Sequence, residues 1–219
     1  ASTDNNLRFR AGMTAINLLV IASRNADAYA RMGKMMELQP LVSDPIAREQ
    51  GLGVFAQLYN EAGQYDLAVD YADKLLAENG SDTMNCKAID FKVDALSHLG
   101  KLSPDSDEFQ QGYALCSKAG EPLYTNEIRV FAARRGIAQG KYNDVIQLLK
   151  SHYDEVQNIH YPELIADFDS ALAQAYWKLG DAVHAQHHAQ RAIDNSIKKE
   201  YTEALIGAYE VLYQVAQEK

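Results

Sequence analysis

The sequence predicts an all-helical fold made of repeated hairpins, and three observations carry that prediction. All five prolines (Pro40, Pro45, Pro104, Pro122, Pro162) fall between segments of helical apolar spacing, never inside one. The apolar residues recur with a helical period, and no comparable segment alternates with period two. Four glycines, Gly63, Gly100, Gly140 and Gly180, stand 37, 40 and 40 residues apart, each after a helical segment.

The elements follow in chain order. Residues 7–21 form an apolar helix, and Ala28, Met32 and Met35 mark a second, with a turn expected at Ser23. Val54, Phe55, Leu58 and Tyr59 lie on one face of the next helix. Leu67, Ala68, Tyr71, Ala72, Leu75 and Leu76 repeat that spacing after Gly63. Gly51 and Gly53 fall within a helix and fit close packing better than phosphate binding. Extra residues stand at 78–83, 101–107 and 154–161, so the repeats are longer at those points. After the second of these, Gly112, Cys116 and Ala119 occupy the small-residue positions. Phe168, Leu172, Tyr176 and Leu179 line a later helix. Residues 161–179 align with 201–219 through Tyr161/Tyr201, Glu163/Glu203, Leu172/Leu212 and Gln174/Gln214. The last helix therefore reads as the first half of a sixth pair, and the natural chain is expected to continue.

The turn strings are related: Gly63-Gln-Tyr-Asp-Leu-Ala68, Gly140-Lys-Tyr-Asn-Asp-Val145 and Gly180-Asp-Ala-Val-His-Ala185. A glycine at the helix end permits a left-handed residue, and a slender residue five later lets the next helix approach. Matches at several offsets in several copies are a repeat signature. These residues resemble tetratricopeptide repeats, Tyr59, Gly63, Tyr65 and Ala68 being the cleanest copy. The resemblance implies a right-handed α-α superhelix of about five hairpins plus a C-terminal helix, as a single solenoid over 1–219. The repeats would span 5–40, 46–79, 84–119, 122–153 and 161–195, with the final helix at 197–219. Armadillo or HEAT-type repeats are the alternative on period alone, but they lack the Gly-x-Tyr-x-x-Ala turn.

Composition narrows the function. With 21 basic and 30 acidic residues the formal charge is −9, which disfavours nucleic acid and anionic membranes as partners. The longest nearly apolar stretch, Ala15 to Ala22, is too short to span a bilayer. The first residue is not Met, so a processed or trimmed N-terminus is expected. Cys86 and Cys116 read as two half-buried thiols on helices, one disulfide being the alternative. Nucleophile motifs and phosphate-cradling loops are absent, and Ser196 to Lys199 matches Ser-x-x-Lys by chance. No cofactor is implied and the chain is not read as an enzyme. His184, His187 and His188 form a weak metal candidate at i, i+3 and i+4, read instead as exposed residues facing solvent. Asn79-Gly-Ser81 is a glycosylation sequon by letters.

In tetratricopeptide proteins the first helix of each pair lines a concave groove. Carried over copy by copy, that groove holds Gln57, Asn60, Asp90, Asp94, His98, Arg134, Gln174 and Trp177. Trp177 is the candidate anchor for an extended peptide, its alternative being burial under a neighbouring repeat. The lysine and asparagine clamp of chaperone-tail binders is not reproduced, since Gly53, Gln57 and Phe91 occupy those positions. The resemblance extends to the extracytoplasmic repeat region of bacterial membrane-bound signalling proteins, often of the diguanylate cyclase (GGDEF) type. It implies a periplasmic sensory module binding a protein, a peptide or a small ligand, with room for a dimer. The alternative is a constitutive cytoplasmic scaffold.

Overall fold

A computed structural model describes residues 3–22, 24–196 and 202–217. The expected turn at Ser23, residues 197–199 of the Ser-x-x-Lys match and Tyr201 lie outside the described residues. Regular structure among the described residues is helical throughout: α1 (Asn5–Ile21), α2 (Asn25–Leu38), α3 (Pro45–Glu61), α4 (Tyr65–Ala77), α5 (Asp82–His98), α6 (Asp107–Ala119), α7 (Pro122–Ala138), α8 (Tyr142–Ser151), α9 (Tyr153–Ile159), α10 (Pro162–Lys178), α11 (Ala182–Ser196) and α12 (Thr202–Gln217). A 3-10 turn covers Gln39–Leu41. The chain divides into two compact units, Ala1–Gly100 and Lys101–Lys219. The division falls at the start of the 101–107 insertion.

Local chemistry sets the helix ends. Asp4, Asp44 and Ser81 accept backbone N–H bonds at the starts of α1, α3 and α5. Pro45, Pro122 and Pro162 open their helices, where a missing N–H costs nothing. The four periodic glycines all have positive φ, between 67° and 78°, as a left-handed helix end requires. At three of them the following residue donates back five positions: Gln64 to Tyr59, Lys141 to Gly136, and Asp181 to Tyr176. These are Schellman turns. Gly120, outside the period, adopts the same conformation at φ 69°.

In the first unit α1 pairs with α2 and α3 with α4, and α5 packs on both α3 and α4. Its core is aromatic: Phe55 meets Phe9 edge-on at 6.4 Å and Tyr71 at 5.4 Å, and Tyr59 stacks on Tyr71. Gly51 faces the Phe9 ring, which a Cβ there would approach to 2.4 Å. The expectation that this glycine serves close packing holds.

In the second unit α7 pairs with α8, and α10 with α11, while α12 packs on α10 and α11 as α5 does on α3 and α4. Phe168, Leu172, Leu149, Ile193 and Val211 fill the core. Gly136 and Val145 interlock in the α7–α8 turn. The 101–107 insertion is held to α7 by Arg135, whose Nε donates to the Leu102 carbonyl at 3.0 Å. The extra residues at 154–161 form most of α9. The extra residues at 78–83 include Asn79, in the left-handed region at φ 49°.

The reading of Cys86 and Cys116 as thiols is corrected. Both are disulfide-bonded, and both side chains are fully buried. Whether a buried thiol is bonded depends on tertiary geometry, which spacing along the chain does not reveal.

Candidate functional site

The proposed groove residues all lie on first helices. In the first unit Gln57 and Asn60 lie on α3, and Asp90, Asp94 and His98 on α5. The Nδ2 of Asn60 donates to the Phe91 carbonyl at 2.9 Å, so α3 and α5 meet along this face. Its Oδ1 is buried and has no partner among the described residues. Gln57 is exposed and donates one turn onward to Glu61 at 2.9 Å. Asp94 lies 3.3 Å from His98, whose ring stacks on Tyr65 at 4.4 Å and 6°. That stack carries His98 toward the start of α4. Asp90 is only 6% exposed and lies beneath the face.

In the second unit Arg134 spans three first helices. One terminal nitrogen lies 2.6 Å from Asp167 on α10, the other 2.6 Å from Glu203 on α12. The guanidinium also lies over the Phe131 ring at 5.9 Å. Gln174 donates weakly to Ser170 at 3.4 Å, and both meet the α12 backbone at Gly207. Trp177 is half-buried against the core.

Asp167 is the titratable group of this row whose acidity departs most from the ordinary. Burial pushes its carboxyl up to about 6, Glu203 and Glu163 add to that, and Arg134 opposes it. The raised value means the folded chain holds this proton more tightly than the unfolded chain does. Stability from that proton is fully present below the unfolded value of about 4 and lost as pH rises through about 6. Acidification from about pH 7.5 to about 4.5 should therefore improve the wild-type chain relative to Asp167→Asn in thermal melts. A difference between the two that does not move with pH would contradict this.

A second cluster, which sequence reasoning missed, surrounds Asp169 of α10. This carboxylate is fully buried. It accepts from the Tyr153 hydroxyl at 2.6 Å, pairs with His188 Nδ1 at 2.7 Å, and accepts from Arg191 Nε at 3.2 Å. Burial, then the hydrogen bond to Asp169, raises the Tyr153 hydroxyl well above the usual phenol range. Arg191 donates onward to Gln157 at 3.2 Å. On α9, Glu155 accepts from Asn126 at 3.2 Å and lies 3.5 Å from Arg129, both on α7. The short inserted helix is thus fastened by polar contacts to α7, α10 and α11.

The expectation that all three histidines face solvent is corrected for His188. Its side chain is only 12% exposed, turned in to Asp169, and its ring stacks on Tyr176 at 5.7 Å. His184 is exposed and bonds Asp181 at 2.7 Å. The rings of His184 and His188 both stack on Tyr176, and His187 meets His188 edge-on at 5.3 Å. Among the described residues no group of three or more His, Cys, Asp or Glu side chains is placed to hold a metal. No helix among them is long and apolar enough to cross a membrane.

No family model matches the chain, and no curated protein matches it in sequence. Solved structures do resemble it. NprR in complex with its cognate peptide NprX superposes with a TM-score of 0.76 at 11% identity, covering 99% of this chain and 63% of that one. The apo form of the quorum sensor NprR from B. thuringiensis gives 0.71 at 12% identity, covering 98% and 62%. The chain spans less than two thirds of the length of either. At such identities the likeness is one of fold, and it agrees with the tetratricopeptide-like, all-helical class expected from the turn glycines.

Proposed function

We propose that this chain is a non-enzymatic binding module that holds a peptide, a protein segment or a small ligand along the face made by its first helices. The observation that carries this reading is the row Arg134, Asp167, Glu203, one side chain from each of three successive first helices of the second unit. Polar groups from residues 134 to 203 are set side by side on one face, where an extended ligand can exchange their internal ion pairs for its own. The resemblance of the fold to NprR, solved with a bound peptide, supports a peptide as the first ligand class to test.

The finer reading is a periplasmic sensory region of a bacterial membrane-bound signalling protein with a cytoplasmic output such as a diguanylate cyclase. The bonded state of Cys86 and Cys116 supports it, because disulfides persist in oxidising compartments such as the periplasm. Signalling follows if the ligand binds one arrangement of the repeats better than another. Thiol labelling of the natural protein in its source cells, under denaturing conditions, tests the compartment. Unreactive cysteines are expected, and two freely labelled thiols favour the cytoplasmic scaffold instead.

The binding face is tested with a peptide and metabolite library read by Trp177 fluorescence and thermal shift. For an identified ligand, alanine at Arg134 or Trp177 of the second unit should weaken affinity by roughly tenfold or more, as truncation of an interface anchor does. Unchanged affinity in both variants would remove the assignment of this face.

A further inference from the structure

The tripeptide Asn79-Gly80-Ser81, a glycosylation sequon by letters, carries a second chemistry that needs no enzyme. Asn79 is the one asparagine of the sequence followed by glycine. Every other asparagine lies within a helix, whose backbone keeps the following nitrogen from turning onto the side chain. Asn79 lies outside one, exposed, in the connection between α4 and α5. Neither its carboxamide nor the Gly80 N–H makes a hydrogen bond among the described residues. At Gly80 the place a Cβ would take is held by the Glu49 carboxylate, 2.3 to 2.6 Å away. A larger residue would have to push that carboxylate aside, and glycine carries no side chain to block an approach to its nitrogen.

We infer that Asn79-Gly80 is a site of self-modification, at which Asn79 is converted to aspartate and isoaspartate. The Gly80 nitrogen gives its proton to hydroxide and attacks Cγ of Asn79. An N–Cγ bond forms, the Cγ–Nδ2 bond breaks, and the amide nitrogen leaves as ammonia with a proton from water. Water then opens the five-membered imide that results. Cleavage at Cγ gives aspartate. Cleavage at the backbone carbonyl carbon gives isoaspartate, with the chain running through Cβ and Cγ. Nothing is oxidised or reduced, and water is the only co-reactant.

The product alters the start of α5. One more negative charge takes the formal total from −9 to −10. It joins Glu78 and Glu49, of which only Glu78 has a basic partner among the described residues, Arg48 at 3.3 Å. In isoaspartate the backbone before Gly80 is also one atom longer. The Gly80 carbonyl accepts from Asn85 Nδ2 at 3.4 Å, and Ser81 Oγ accepts from the Met84 N–H at 3.2 Å. Both bonds fix the first turn of α5, and a lengthened chain moves their acceptors away from it. The change is irreversible and accumulates with the age of the molecule. It loosens the foot of the helix that carries Asp90, Asp94 and His98.

The test incubates the 219-residue chain in mildly alkaline buffer beside the free peptide Glu-Asn-Gly-Ser. A species one charge more acidic should accumulate in isoelectric focusing on the time scale of the peptide. Peptide mapping by mass spectrometry should place it at Asn79, and isoaspartyl methyltransferase should label it. Asn79→Gly keeps the left-handed backbone, removes the carboxamide, and should give no such species. The purified modified chain should melt roughly 2–4 °C below the parent, the effect of one lost helix cap in a chain of this size. A chain unmodified after several half-times of the peptide, reaction at another asparagine, aspartate without isoaspartate, or equal melting of modified and parent chains each overturns the proposal.

Discussion

Replacing Asp169 by alanine is expected to destabilise the second unit by roughly 3–5 kcal/mol, the cost of breaking a buried charged network by removing one partner. The carboxylate is fully buried and serves Tyr153, His188 and Arg191 at once. Arg191 keeps a third of its side chain in water and can rehydrate, so most of the cost comes from the enclosed Tyr153 hydroxyl and His188 ring. The inserted helix α9 should loosen first, since it holds α10 and α11 through Tyr153 and Gln157. Urea unfolding followed by Trp177 fluorescence measures the total, and amide exchange across 153–159 locates the loosening. Asp169→Asn keeps the volume and one acceptor and should lose less than the alanine variant. A loss below about 1 kcal/mol for alanine would mean that the network contributes no more than an ordinary hydrogen bond.

In the first unit the largest loss is expected at Phe55. Its ring is fully buried between Phe9 and Tyr71, at 6.4 Å and 5.4 Å. Truncation to alanine should cost roughly 3–5 kcal/mol, combining lost transfer energy with an unfilled cavity. The cavity cannot close easily, because Phe9 is already in contact with the Gly51 backbone and has no room to follow. Leu67→Ala, at an exposed apolar position of α4, should change stability by less than about 0.5 kcal/mol. Equal losses in the two variants, measured by denaturant unfolding, would show that the aromatic cluster is not the core of this unit.

The parts legible in the sequence were those set by local backbone chemistry. A residue in the left-handed region at a helix end selects glycine almost regardless of its neighbours, so Gly63, Gly100, Gly140 and Gly180 could be read from spacing alone. The slender partners at Ala68, Val145 and Ala185 followed from the same turn, and all three are buried. The helices that carry the proposed groove residues were legible, and Arg134 of one of them bridges to α10 and α12. Which groove residues stay open was not legible. Asp90 lies beneath the surface, and His98 leans onto Tyr65, because a side chain a few tens of degrees around a helix meets either solvent or a neighbour.

His188 illustrates the limit most clearly. It flanks the buried row Ala185, Ala189 and Ala192, a border position that periodicity alone leaves facing outward. What turns it in is a carboxylate 19 residues away on another helix. Nothing in the spacing of either helix announces that meeting.

The sequence by itself determined the all-helical class, the hairpin turns and the positions where helices approach closely. Each of these depends on backbone conformation or side-chain size within a few residues, and each repeats every 37 to 40 residues, so the copies corroborate one another. Tertiary structure alone decided the bonded state of Cys86 and Cys116, the fastening of α9, the Asp169 network and the raised proton affinity of Asp167. These depend on distances between residues far apart in the chain and on the water excluded around them. Each occurs once, so no repetition in the sequence could reveal it.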